Sequence, residues 1–137
     1  VELTVTLLII SVILGLVLTK IGNALYSSDL KRSIRQIRAI LSVARSNATM
    51  ERIPRRIVCD ITKGEIRIER EMSEDQDGQS ILRYEKDNSI LNRTYKFPKG
   101  VRIEDVITET GQKELDGEAY LRIGTNGIIT GYIIHLR

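Results

Sequence analysis

Residues 3–18 read LTVTLLIISVILGLVL, and Glu2 stands immediately before them. Twelve of these sixteen residues are Leu, Ile or Val, and none is charged. At about −0.3 to −0.6 kcal/mol each on an insertion scale, they contribute roughly −4 to −7 kcal/mol, outweighing Thr4, Thr6, Ser11 and Gly15. The segment leaves water. Leu3 to Thr19 makes about 26 Å of helix against a hydrocarbon core of about 30 Å; running on through Ile21, Ala24 and Leu25 makes about 34 Å, with Lys20 snorkelling its ammonium outward. A secretory signal would open on basic residues and close on a small-residue cleavage site. Here an acid opens and Lys20-Ile21-Gly22-Asn23 follows. The expectation is a retained membrane helix, not a cleaved signal or the core helix of a soluble protein.

Outward from this stretch, the 137-residue chain divides into an apolar helix, residues 1–27, and one globular domain, residues 28–137. The domain is long enough for one modest core and not two. The net charge of +3 conceals a split: residues 1–56 hold nine Lys/Arg against three acids, and residues 57–137 hold twelve against fifteen. Such halves can attract each other between copies, or the basic one can face anionic lipid or nucleic acid. Cys59 is the only cysteine and His135 the only histidine. An intrachain disulfide is therefore excluded, and so is a His-based metal cluster. Cys59 reads as a small strand hydrophobe and His135 as an ordinary edge or core histidine. No catalytic constellation, cofactor motif or metal set is visible, so an enzyme is the least favoured class.

From Leu30 the pattern is helical. Leu30, Ile34, Ile37, Leu41, Ala44 and Ala48 step by four and three and draw one apolar stripe for a core. The reading is one long helix ending near Arg52 ahead of Pro54, softened by Gly15, Gly22 and Asn23 and open to a kink or unwinding near residues 19–26. Advancing about 100° per residue, Lys31, Arg35, Arg38 and Arg45 fall in one sector beside the stripe. This flank reads as a solvated face near a membrane, as a contact for acidic patches of neighbouring molecules, or as a nucleic-acid surface. The last is disfavoured by the scarcity of aromatic platforms.

Beyond Pro54 the period becomes two. Arg56–Ile61 reads as a strand, Thr62-Lys63-Gly64 as a turn, and Glu65–Glu71 as its hairpin partner with Ile66 and Ile68 inward. Ser73–Ser80 reads as a polar loop; its Asp75-Gln76-Asp77-Gly78 is slightly like a calcium loop but lacks the later ligands. Ser80–Tyr84 and Thr94–Phe97 are short strands around an Asp87-Asn88-Ser89 turn. Val101–Ile107 is another strand after the Pro98-Lys99-Gly100 turn, and Thr108–Glu118 is polar and turn-rich. Ala119–Gly124 and Ile128–Leu136 form a closing hairpin about Asn126-Gly127, with Gly131 marking a bulge or close approach. The fold class is thus α+β: a long N-terminal helix whose second half, residues 28–52, supplies a core wall to an antiparallel β domain, residues 56–137.

Val1-Glu2-Leu3-Thr4-Val5 with Leu7-Leu8-Ile9-Ile10-Ser11-Val12-Ile13-Leu14-Gly15, ahead of an amphipathic helix and a β-rich domain, resembles the type IV pilin superfamily. Ile40–Ala48, the hairpin after it and the final Gly127-containing segment ending Ile133-Ile134-His135-Leu136 look most like H-type minor pseudopilins of type II secretion and related minor type IV pilins. The resemblance implies a subunit held in the bacterial inner membrane by one span, its globular domain periplasmic. It implies processing by a prepilin peptidase, N-methylation and polymerisation with other pilin or pseudopilin subunits into a filament in the periplasm or outside the cell. It assigns assembly to Glu2, meeting a neighbour's N-terminal amine, and to Leu3, Val5, Leu7, Leu8, Ile10 and Leu14. Lys31, Arg35, Arg38 and Arg45 are the candidate electrostatic contacts. Pairing agrees with the cost of an isolated carboxylate at the edge of hydrocarbon. The sequence departs from the pattern in having only Val1 before the acid, where relatives have a few residues and a basic leader; the expectation is that it begins inside the mature protein or is renumbered. It also lacks the helix-breaking proline and the cysteine pair of major pilins. Because the cations follow the span, the charge rule taken alone places the domain in the cytosol. Two alternatives therefore stand beside the filament subunit: a minor pilin capturing DNA for uptake, and a single-pass protein with a cytosolic regulatory domain.

Overall fold

A computed structural model describes residues 2–76, 78–87 and 94–137. Helix α1 runs without interruption from Glu2 to Glu51, 50 residues, which is about 75 Å at ~1.5 Å per residue. The expected softening near residues 19–26 does not break it: Gly15 and Gly22 each weaken a helix by only about 1 kcal/mol, and i→i−4 bonding continues through them. The helix stops where Arg52 takes a left-handed conformation, φ 54°, and Pro54 leads into the sheet.

Strand β1 (Arg55–Asp60) and β2 (Glu65–Gln76) form the expected hairpin, with Ile57 opposite Ile68 and Cys59 opposite Ile66. Its turn is held by the Asp60 side chain, which accepts the Lys63 N–H at 2.8 Å, and by Gly64 at φ 64°. Strand β3 (Gln79–Lys86) follows at once, with Gln76 opposite Gln79. Residues 73–76 and 79–80 are therefore paired strand and not polar loop. Asp77-Gly78 is a two-residue turn sequence, and a ladder of polar side chains pairs as well as an apolar one when both faces are wet. Asp77, Asn88 and Ser89 lie outside the described residues. Strand β4 (Tyr95–Lys96) also pairs with β2, beyond the end of β3.

Strands β5 (Ile103–Ile107), β6 (Lys113–Glu114), β7 (Glu118–Ile123) and β8 (Ile133–Leu136) complete the domain. There are two antiparallel sheets where the sequence suggested one: β3-β2-β1-β7 with β4 attached, and β6-β5-β8. The closing hairpin is the second correction. Only Ile123 bridges Ile129 beyond the Asn126-Gly127 turn, and the chain then crosses to pair β8 with β5. Crossing places Ile134 and Leu136 against the core, which a straight return along β7 would not. Gly131 lies in this crossing with open space around it and makes no close approach.

The core joins the inward residues of both sheets, Ile57, Cys59, Ile66, Ile68, Ile103, Val106, Leu121 and Ile123, to Ala44 and Ala48 of the helix. Small residues there let the sheet approach, as expected. The stripe is nevertheless rotated from the expected one. Ser33 and Ile40 join Ile37 and Leu41 at the contact, Leu30 is half-buried, and Ile34 stays 39% exposed. Ser33 is fully buried because its hydroxyl returns to the Asp29 carbonyl at 2.9 Å and meets Tyr95 at 3.4 Å. Among the glycines with positive φ, Gly127 packs tightly. At φ +73° it is buried so that an added Cβ would lie 2.9 Å from Thr49 Oγ1 and 3.2 Å from Arg45.

Candidate functional site

The apolar rod is the feature the fold leaves unaccounted for. Its most apolar 18-residue window has a mean hydropathy of 2.4 and is 0% buried. Leu3, Val5, Leu7, Leu8, Ile10 and Leu14 are all more than half exposed, and so are most of their neighbours. One helix is thus long and apolar enough to cross a membrane, near the N-terminus. Two of its few polar side chains are already satisfied inside the helix. Thr6 donates to the carbonyls of Glu2 and Leu3 at 3.1 and 2.9 Å, and Ser11 to that of Leu8 at 2.8 Å. Neither demands water, which is what a segment placed in hydrocarbon or among other apolar helices requires. Glu2 occupies the first turn, exposed, where the helix dipole favours a negative charge.

Lys31, Arg35, Arg38 and Arg45 project from the packed half of α1, all exposed and without an ion-pair partner among the described residues. Arg52 is likewise exposed. Arg55 and Arg56, the basic pair just past the helix end, are committed elsewhere. Arg55 is buried, bonded through Nε to Asp87 at 3.0 Å and through a terminal nitrogen to Glu51 at 2.6 Å. It ties the helix end to the first strand and to the residue that follows the third. Arg56 stacks between Tyr84 and Tyr120, 3.7 and 4.5 Å from their ring centres, and pairs with Glu69.

That stack belongs to a closed network on the outer face of the first sheet. Arg67 bonds Glu69 and Glu118, Tyr120 donates to Glu118, and Arg122 and Tyr84 both meet Glu71. The Arg67 and Tyr120 bonds hold the Glu118 carboxyl below its ordinary value, and the bond to Glu118, with burial, raises Tyr120.

In the second sheet, burial would raise the Asp105 carboxyl, but His135 Nδ1 at 2.7 Å and Lys113 at 3.1 Å more than offset this and lower it. His135 is thereby an edge-strand partner of a buried acid. Burial pushes the Cys59 thiol up to about 12, so it stays protonated and inert. Asp75 accepts the Ser80 hydroxyl at 2.9 Å across its hairpin. Among the described residues no three of His, Cys, Asp and Glu converge to hold a metal ion. A groove of about 510 Å³ between α1 and the C-terminal segment is lined by aliphatic side chains, Tyr132 and Arg38.

A long N-terminal helix packed on antiparallel sheet fits a pilin-like α+β fold. No family model matches the chain, and neither does any curated protein or solved structure.

Proposed function

We propose that this chain is a structural subunit of a pilus or pseudopilus filament, of the kind that serves protein secretion across the outer membrane, and that it polymerises through its N-terminal helix. One observation carries the reading: the most apolar window of a continuous helix is unburied while the other half of the helix packs into the core of the β domain. An anchor needs only a span. A span rigidly continued into the head also fixes where the head sits once the rods bundle, so that heads coat a fibre whose centre is apolar. Before assembly the rod rests in the inner membrane with the head in the periplasm, processed by a prepilin peptidase. In the fibre, Glu2 meets the N-terminal amine of an adjacent subunit. Rods associating at different heights make a heterologous contact that propagates helically. The test is Glu2→Ala in cells, with filaments imaged and secretion assayed; assembly and secretion at the unsubstituted level refute the reading.

The cations that follow the span favour a second reading, a single-pass protein with a cytosolic domain. The buried Cys59 cannot report topology. Thr125→Cys, at an exposed position beside the Asn126-Gly127 turn, can: labelling by an impermeant maleimide after the outer membrane alone is opened supports the periplasmic placement, and protection supports the cytosolic one.

A further inference from the structure

Two surfaces of opposite sign are left open within one molecule. Residues 30–50 of α1 carry Lys31, Arg32, Arg35, Arg38 and Arg45 and no acid, and all five are exposed. Residues 103–118 carry Glu104, Asp105, Glu109, Glu114, Asp116 and Glu118 against the single cation Lys113. Asp105 is taken by Lys113 and His135, and Glu118 by Arg67. Glu104, Glu109, Glu114 and Asp116 have no ion-pair partner among the described residues.

The fold explains why the two sets do not meet internally. The helix packs on β1, β2 and β7 of the first sheet, whereas the open acids gather about β5 and β6 of the second, where β6 is a free edge. A bulge between Ile103 and Asp105 turns Glu104 outward while Asp105 points in. Glu109 sits in the tight turn that returns the Gly111 N–H to the Thr108 carbonyl at 2.8 Å. Glu114 lies opposite Val106, and Asp116 in the next turn.

Anionic lipid does not account for the upper part of the basic face. On an upright helix rising ~1.5 Å per residue, Arg38 and Arg45 stand about 20 and 30 Å beyond Leu25, where the apolar run ends; the screening length is only about 8 Å. An acidic protein surface standing at the same height as the head complements them, and a copy of this chain presents one.

We infer that the acidic edge formed by Glu104, Glu109, Glu114 and Asp116 of one molecule docks on the Lys31, Arg35, Arg38 and Arg45 face of a second copy. This rests on the filament reading and adds to it a head-to-shaft contact. The two faces differ, so the contact is heterologous and repeats with the rods. Exposed ion pairs are individually weak and screened by salt. Their part here is to set register and choose the neighbour, with the buried rods supplying most of the affinity.

The experiment uses full-length chains in cell membranes, two differently tagged copies expressed together. Arg38→Cys in one and Glu109→Cys in the other are crosslinked by a short bis-maleimide; a Leu8→Cys pair reports rod-to-rod association independently, and buried Cys59 adds no background. The expected result is a mixed-tag dimer from both pairs. Adding Arg35→Glu and Arg45→Glu to the first copy should lower the head-to-shaft yield about ten-fold, since facing like charges repel, and Glu104→Lys with Asp116→Lys in the second copy should restore it. Rod crosslinks without head-to-shaft crosslinks overturn this inference and leave the filament reading standing. A head-to-shaft crosslink indifferent to charge reversal also overturns it. Absence of both crosslinks overturns the inference and the filament reading together.

Discussion

Arg55→Met removes the cation that joins the helix end to the first strand and to Asp87 while keeping an apolar stem of similar length. Arg55 is 1% exposed and its Asp87 partner 7%, at 3.0 Å. Breaking such a buried pair by removing one partner costs about 3–5 kcal/mol. The second bond, to Glu51 at 2.6 Å, adds little because Glu51 is 50% exposed and its charge is solvated. In a domain of this size each kcal/mol moves the midpoint by about 4 °C, so the expected loss is about 12–20 °C. With no Trp and five Tyr, tyrosine fluorescence of the full-length chain in detergent is a suitable assay, because Tyr84 and Tyr120 stack on Arg56 next to the junction. Urea titration gives the free energy. The double variant Arg55→Met/Asp87→Leu should recover part of the loss, because the carboxylate deprived of its guanidinium is removed as well. A loss below about 1 kcal/mol for Arg55→Met, or a double variant no more stable than the single one, refutes the picture of a desolvated knot.

Gly127→Ala should destabilise by about 2 kcal/mol or more, from the left-handed φ and the collision with Thr49 and Arg45 together; denaturant midpoints check it, and a neutral result means the turn stands off the helix. Arg52→Gly should stabilise by about 0.5–1 kcal/mol, relieving the same conformation at an exposed helix terminus, and a thermal scan decides it. Stability should fall in acid. Burial would raise Asp60, but the Lys63 amide and ammonium and Arg67 lower it; Asp105 and Glu118 are lowered as well. Groups depressed in the folded state contribute fully above their ordinary values of 3.8 and 4.5. That contribution disappears as pH falls through the lower folded values, because the unfolded chain then binds more protons. Urea midpoints that hold steady from neutral pH to pH 3 contradict this assignment.

Local signals were legible where one period dominated. The Leu3–Leu18 run, the three- and four-residue steps of Ile37, Leu41, Ala44 and Ala48, and the alternation around Ile66 and Ile68 each name their element without help from the rest of the chain. The two dipeptide turns show where local reading stops. Asp77-Gly78 sits between polar strands, so composition disguised a two-residue hairpin that its turn chemistry advertises. Asn126-Gly127 turns the chain as its residues require, yet the strand beyond it leaves for the other sheet. Which edge β8 joins depends on where Ile134 and Leu136 find apolar surface, and that surface belongs to β5, nearly thirty residues away.

The candidate surfaces divide in the same way. The sequence alone determined that an apolar rod begins with an acid, that an amphipathic helix continues it, that one sulfhydryl and one imidazole are too few for a metal cluster, and that basic and acidic residues segregate along the chain. Hydrophobicity and charge are properties of residues and their spacing, so these conclusions need no partner. Only the tertiary structure decided that the rod continues unbroken into the head and that Ser33 belongs to the core. Likewise it alone placed Arg55 and Arg56 in internal pairs and left Glu104, Glu109, Glu114 and Asp116 open. Each of these depends on which distant group comes within reach of a side chain, and that is set when the sheets close over the helix.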